Sequence, residues 1–182
     1  MTVIRAIAGW VAVAALLVLA AALFVHGMRS VADFNTPQTS GRATVGEPLP
    51  DAPLATLDGG HTSLAAYAGR PLWINFFETW CVPCKAEVPA IEARFAEHRS
   101  GGLMVLGVDE QETPAQVGLF EHRFGVTYPL AIDGGAAATA YQVQVIPVSV
   151  FVDPHGVIAR IWIGEMQPAV MDEALAQILP AR

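Results

Sequence analysis

The chain has 182 residues, of which 53% are hydrophobic and only 15% charged, with a net charge of -7. That length suits one domain of ordinary size plus an appendage. Its ten Lys and Arg residues are scattered and outnumbered by acids, which excludes a phosphate-backbone binder and hence a nucleic-acid partner.

The apolar excess has a local source. From Ile4 to Val25 the only charged side chain is Arg5, and the run is otherwise Ala, Val, Leu, Ile, one Gly, one Trp and one Phe. As a helix those 22 residues would extend about 33 Å, enough to cross the hydrocarbon core. A cleaved signal peptide has a shorter apolar region of about 7–15 residues. Its candidate cleavage site, Ala20-Ala21-Ala22, is followed directly by apolar Leu23-Phe24-Val25. Residues 1–29 are therefore expected to form an uncleaved, single-pass transmembrane anchor. Arg5 at the head of the run, against His26 and Arg29 after it, gives a mild preference for a cytoplasmic N-terminus. Residues 30–44, with Pro37, Ser40 and Gly41, read as a tether, and residues 45–182 as the folded domain.

In the domain, Pro48, Pro50 and Pro53 suit an extended entry segment. A hairpin is expected from Leu54 to Leu57, turning at Asp58-Gly59-Gly60 and returning over His61 to Leu64. The near-continuous apolar runs Leu72–Phe77 and Leu103–Val108 predict buried strands. Val88, Ile91 and Phe95 recur at helical spacing behind a pair of cysteines, with Pro89 expected to kink that helix. Thr113 as N-cap and Pro114 at the first helical position predict a helix to Phe124. A short helix follows at Ala136–Tyr141. Strands Val148–Val152 and Val157–Ile163 then meet at the turn Asp153-Pro154-His155-Gly156, and a last helix spans Val170–Leu179. Alternating strands and helices, closed by a hairpin and a helix, make an α/β layout.

The chemistry is expected at Cys81 and Cys84, the only cysteines, three residues apart. Zinc takes about four ligands, and none of His61, His98, His122 and His155 is paired at ligand spacing. A purely structural disulfide closing so short a loop would constrain the unfolded chain little. A redox pair fits better, because a buried strand ends at Phe77 and the cysteines open the next helix. A cysteine at a helix N-terminus faces unpaired N–H groups and the positive end of the macrodipole, which stabilise the thiolate that attacks disulfides. Cys81 is thus the expected nucleophile and Cys84, one turn on and more buried, the resolving thiol. Pro83 is tolerated in the first turn. Glu87 lies on the helical face of Cys84, where position alone favours a solvated surface carboxylate. Asn75, polar inside an apolar strand, needs a buried partner. Pro147 opens an apolar strand after Ile146, and the sequence leaves the isomer of that bond open.

With these residues in view, the chain resembles the TlpA-like branch of the thioredoxin superfamily, membrane-tethered periplasmic reductases associated with cytochrome c biogenesis. The resemblance covers Val45 to Leu179. It rests on the run from Asn75 to Pro89, on Gly107-Val108-Asp109, on Tyr141-Gln142-Val143 leading to Ile146-Pro147, and on Phe151 to Gly156. It implies a thioredoxin-like three-layer α/β/α sandwich, a four- or five-stranded sheet with an added N-terminal β-hairpin. It also implies a functional Glu87, and a substrate groove formed by Trp80, Pro83, Ile146 and Pro147, with Ile146-Pro147 as a cis-proline loop. Glu78, where small residues are common, and Val148, where Thr or Glu is usual, depart from the pattern and put substrate choice in doubt.

The expected activity is reduction of disulfides in periplasmic client proteins, in cytochrome c maturation, with no cofactor beyond the Cys81–Cys84 pair and no metal. Apocytochrome c and a copper-centre assembly protein are the candidate clients, and a membrane thiol donor would recharge the pair. The Val82-Pro83 bridge supplies no cation, and a Glu87 carboxylate opposes thiolate formation, both favouring the reducing direction. Lys85 pulls the other way but is expected to face solvent. Two alternatives stand beside this. A peroxiredoxin-like peroxidase would want Thr three residues before its cysteine, which this chain lacks. A copper-binding module would use the two thiols as soft ligands.

Overall fold

A computed structural model of the chain describes residues 42–180 and, apart from these, Val18 alone. The expected anchor and most of the tether lie outside the described residues, among which no helix is long and apolar enough to cross a membrane. Among the described residues seven strands form one sheet: β1 (Pro53–Thr56), β2 (His61–Ser63), β3 (Leu72–Phe77), β4 (Met104–Glu110), β5 (Leu130–Asp133), β6 (Val148–Val152) and β7 (Ile158–Ile163). The α-helices that cover it are α1 (Val82–His98), α2 (Pro114–Phe124), α3 (Ala136–Tyr141) and α4 (Pro168–Ile178). The strand order is β2-β1-β5-β4-β3-β6-β7. The pairs β3/β4 and β4/β5 are parallel, and all others antiparallel. The fold is thioredoxin-like α/β, a central five-strand sheet extended by the β1–β2 hairpin.

Every residue of β3 is buried because the strand is central and helices cover both faces. Its side chains alternate between two cores. Trp73 and Phe77 join Phe151, Val117, Phe120, Ile91 and Leu175 beneath α1, α2 and α4. Leu72, Ile74 and Phe76 join Leu106, Val150, Ala137 and Tyr141 on the α3 side. Helix α2 begins with the expected cap: the Thr113 hydroxyl and Gln116 form a reciprocal capping box.

Some boundaries move. Strand β4 runs to Glu110, two residues past the apolar run, because Asp109 and Glu110 pair with Ile132 and Asp133 of β5. Strand β5 itself escapes the sequence reading. It is four residues long, entirely buried, and joins the hairpin to the sheet by pairing with β1 as well as β4. Helix α4 starts at Pro168, a residue suited to a first turn. At the N-terminal side, Ala43 is buried, and its N–H donates to the Ala140 carbonyl at 2.9 Å.

Candidate active site

The redox loop follows from the order of elements. Central strand β3 delivers the chain to Glu78, and a tight turn, in which the Cys81 N–H donates to the Glu78 carbonyl at 3.1 Å, starts α1. Cys81 is the N-cap of α1, and its Sγ accepts the Cys84 N–H at 3.1 Å. A helix N-terminus leaves such N–H groups unpaired, so the sulfur occupies the place of an ordinary capping oxygen. Cys81 and Cys84 form a disulfide with Cα atoms 5.3 Å apart. The expected difference in burial is absent: each cysteine is 3% exposed, since joined sulfurs share one position against the core. Val82 and Pro83 occupy the first turn, where the missing proline N–H costs nothing. Helix α1 continues through Pro89 to His98.

Around the pair, Trp80 is 65% and Val82 73% exposed, an apolar rim beside buried sulfur, while Pro83 is half-buried. The Ile146–Pro147 bond is cis. Ile146 packs against the cluster that holds both cysteines, and the buried Pro147 accepts the Gly164 N–H on its carbonyl at 2.8 Å. Lys85 is half-buried rather than fully solvent-facing.

Glu87 is not the surface carboxylate that its position alone favours. It is 3% exposed; its Oε1 accepts the Met166 N–H, and its Oε2 has no hydrogen-bond partner among the described residues. Burial pushes its pKa up to about 7, against the Met166 N–H, with the Glu165 charge adding to the rise and the nearby Asn75 amide opposing it. Such a group exchanges a proton near neutrality. Asn75 does find its buried partner: its amide donates to Ser149 Oγ at 3.1 Å, and the Trp73 indole N–H donates to the same oxygen at 2.9 Å.

A second acidic group was missed in the sequence. Glu112 takes the Thr79 N–H on Oε2 at 2.6 Å and the Thr79 hydroxyl on Oε1 at 2.7 Å. The Glu112 N–H donates to Asp109 Oδ1 at 3.0 Å. Asp109 is fully buried, and among the described residues its Oδ2 has no donor to accept from. Burial raises its pKa, and the Glu112 carboxylate beside it adds to the rise. Glu112 is desolvated too, yet the Thr79 N–H, Asp109 and the Thr79 hydroxyl outweigh this and hold its pKa low. Glu78 is raised by burial and by the Glu112 charge, with Trp80 opposing. Glu110 is raised by burial, then by Glu78 and Asp133. The only sequence signal was three acids within four residues, Asp109, Glu110 and Glu112, directly behind a buried strand.

Residues 45–161 match the AhpC/TSA family. Thiol-disulfide oxidoreductase ResA of Geobacillus thermodenitrificans is 33% identical over 166 residues, 91% of this chain and 92% of the relative. ResA of Geobacillus kaustophilus is 33% identical over 168 residues, 92% and 94% of the two chains. Among solved structures, a thiol:disulfide interchange protein of the thioredoxin family from Chlorobium tepidum superposes with a TM-score of 0.67 at 25% identity, covering 76% of this chain and 99% of its own.

Proposed function

The chain belongs to the AhpC/TSA family and is a thiol–disulfide oxidoreductase, and from that premise we propose that it works as a reductant in cytochrome c maturation. The observation that carries the chemistry is Cys81 Sγ capping α1 and accepting the Cys84 N–H, a setting that stabilises a thiolate. In the reduced form, the Cys81 thiolate attacks one sulfur of a client disulfide, forming a Cys81–client bond and expelling the other client sulfur as a thiolate. Glu87 then takes the proton of Cys84. The Cys84 thiolate attacks Cys81 Sγ, closing the Cys81–Cys84 disulfide and releasing the second client thiolate. Two electrons pass to the client, whose two thiolates take up protons, one of them returned by Glu87.

The reducing direction is supported by the chemistry around the pair. Neither Val82 nor Pro83 supplies a cation, and a Glu87 carboxylate charges only as pH rises past about 7, opposing thiolate formation from then on. Trp80, Pro83, Ile146 and Pro147 form the surface against which a client segment lies. Residues 4–25 anchor the chain in the cytoplasmic membrane with the domain on the periplasmic side, where a pair kept reduced needs a membrane thiol donor to recharge it. Apocytochrome c is the client we favour, and a copper-centre assembly protein the other.

A Cys84→Ala variant tests this, because removing the resolving thiol leaves the mixed disulfide at Cys81. Capture of apocytochrome c from the membrane and periplasmic fraction supports the reading. An empty trap refutes Cys81 as nucleophile, and a different captured protein refutes the client.

A further inference from the structure

Disulfide exchange through Cys81, Cys84 and Glu87 uses none of the acids at the C-terminal ends of β3 and β4. Burying Asp109 completely and crowding it with Glu112 and Glu78 is unfavourable by desolvation and by like charge. What this arrangement supplies is a rigid fork on one residue of the redox loop. A carboxylate has two acceptor oxygens and no donor when ionised, so it can take an N–H and an O–H from Thr79 on separate oxygens. Both bonds are made, at 2.6 and 2.7 Å. Glu112 is itself propped from below through its own N–H on Asp109. Thr79 stands two residues ahead of Cys81 and directly follows Glu78, whose carbonyl holds the Cys81 N–H.

We propose that Glu112, propped by Asp109, is a positioning residue for Cys81: its grip on Thr79 fixes where Cys81 Sγ lies against the N–H groups that open α1. The inference rests on Cys81 being the nucleophile of the proposed function. Stabilisation of a charge at a helix N-terminus falls off within the first turn, so a loosened loop weakens it. Loss of the grip therefore disfavours the Cys81 thiolate. Loss of the Glu112 charge acts with the opposite sign, because removing a nearby anion favours a thiolate. The two effects are separable by substitution.

A second fork of the same kind lies elsewhere. Glu92 of α1 takes the Thr127 N–H on Oε2 at 2.9 Å and the Thr127 hydroxyl on Oε1. It has the same chemistry away from the redox loop and serves as the control.

The test uses the reduced full-length chain in detergent, reading Cys81 alkylation against pH and the Cys81–Cys84 potential in glutathione buffers. Glu112→Ala is expected to slow Cys81 alkylation at neutral pH by about tenfold and to shift the dithiol–disulfide equilibrium toward the disulfide. Glu112→Gln keeps an oxygen for the Thr79 N–H without the charge, and is expected to be no slower than wild type. Glu92→Ala is expected to lower the melting temperature and leave both redox readouts unchanged. Alkylation in Glu112→Ala as fast as wild type, or Glu112→Gln as slow as Glu112→Ala, overturns the inference. Should Glu112→Ala not fold, Thr79→Val loses only the hydroxyl bond. A slowing of about threefold is then expected, since small misplacements already cost rate, and an unchanged profile overturns the inference. A wild-type chain that reduces no disulfide would refute the proposed function instead.

Discussion

Replacing Glu87 by Gln separates what the buried acid costs the fold from what it does in the reaction. Folding lifts its pKa from an ordinary 4.5 to about 7. Between those values the native chain keeps a proton that the unfolded chain has released, so stability falls as pH rises through this window. At about 1.4 kcal/mol per pH unit the loss is about 3 kcal/mol, complete once pH passes about 7. The amide introduced by Glu87→Gln carries no such titration and can still accept the Met166 N–H on its oxygen. The stability of Glu87→Gln relative to wild type is therefore expected to rise by about 2–3 kcal/mol between pH 4 and 8, and to be flat on either side. Denaturant unfolding of the oxidised chains across that range measures it, with other titrating groups cancelling between the two proteins. The same variant is expected to lose about a hundredfold in disulfide reduction near neutral pH, through loss of proton transfer at Cys84. Parallel stability curves for the two proteins would show that Glu87 is not held protonated by burial. A full reduction rate in Glu87→Gln would remove it from the proton path.

Other perturbations address single links. Glu165→Gln removes the charge that adds to the Glu87 rise, so a carboxyl-carbon NMR titration should place the Glu87 midpoint lower, and an unmoved midpoint would refute that influence. Ser149→Ala leaves the Trp73 N–H and the Asn75 amide without their shared acceptor. It is expected to cost about 2 kcal/mol in chemical denaturation, and a cost near zero would show that both groups find other partners. Asp133→Ala strips the acceptors of the Ala137 and Ala138 N–H groups at the start of α3, a cap loss of about 1–2 kcal/mol. Thermal unfolding reads this loss, and an unchanged midpoint would argue against it.

Local order was the legible part of this chain. Leu72–Phe77 could only be a doubly covered strand. Thr113-Pro114 spelled a helix start, and Cys81 to Cys84 behind the strand announced the chemistry. What stayed hidden depends on partners far along the chain. Asn75 plainly needed a buried partner, but Ser149 lies 74 residues on. By position alone Glu87 looked like a surface residue, because the N–H that donates to it belongs to Met166, 79 residues away. The Glu112 grip on Thr79 spans 33 residues and follows from β4 running beside β3, which brings Asp109 opposite Phe77. Strand β5 was missed because four residues give too little period to distinguish a strand from a loop.

The chain enters the domain by a route that bears on mechanical load. The Ala43 N–H bonds the Ala140 carbonyl; the Gly46 N–H and Glu47 carbonyl pair with Ile158, and the Leu49 N–H bonds the Gly156 carbonyl. The first bonds that a pull from the N-terminal side meets are thus those to the end of α3, to the turn before β7 and to the start of β7. Neither element carries a redox residue. Force must strip that row of bonds before it reaches β3 or α1, so the cysteine pair is insulated from tension on the leading segment.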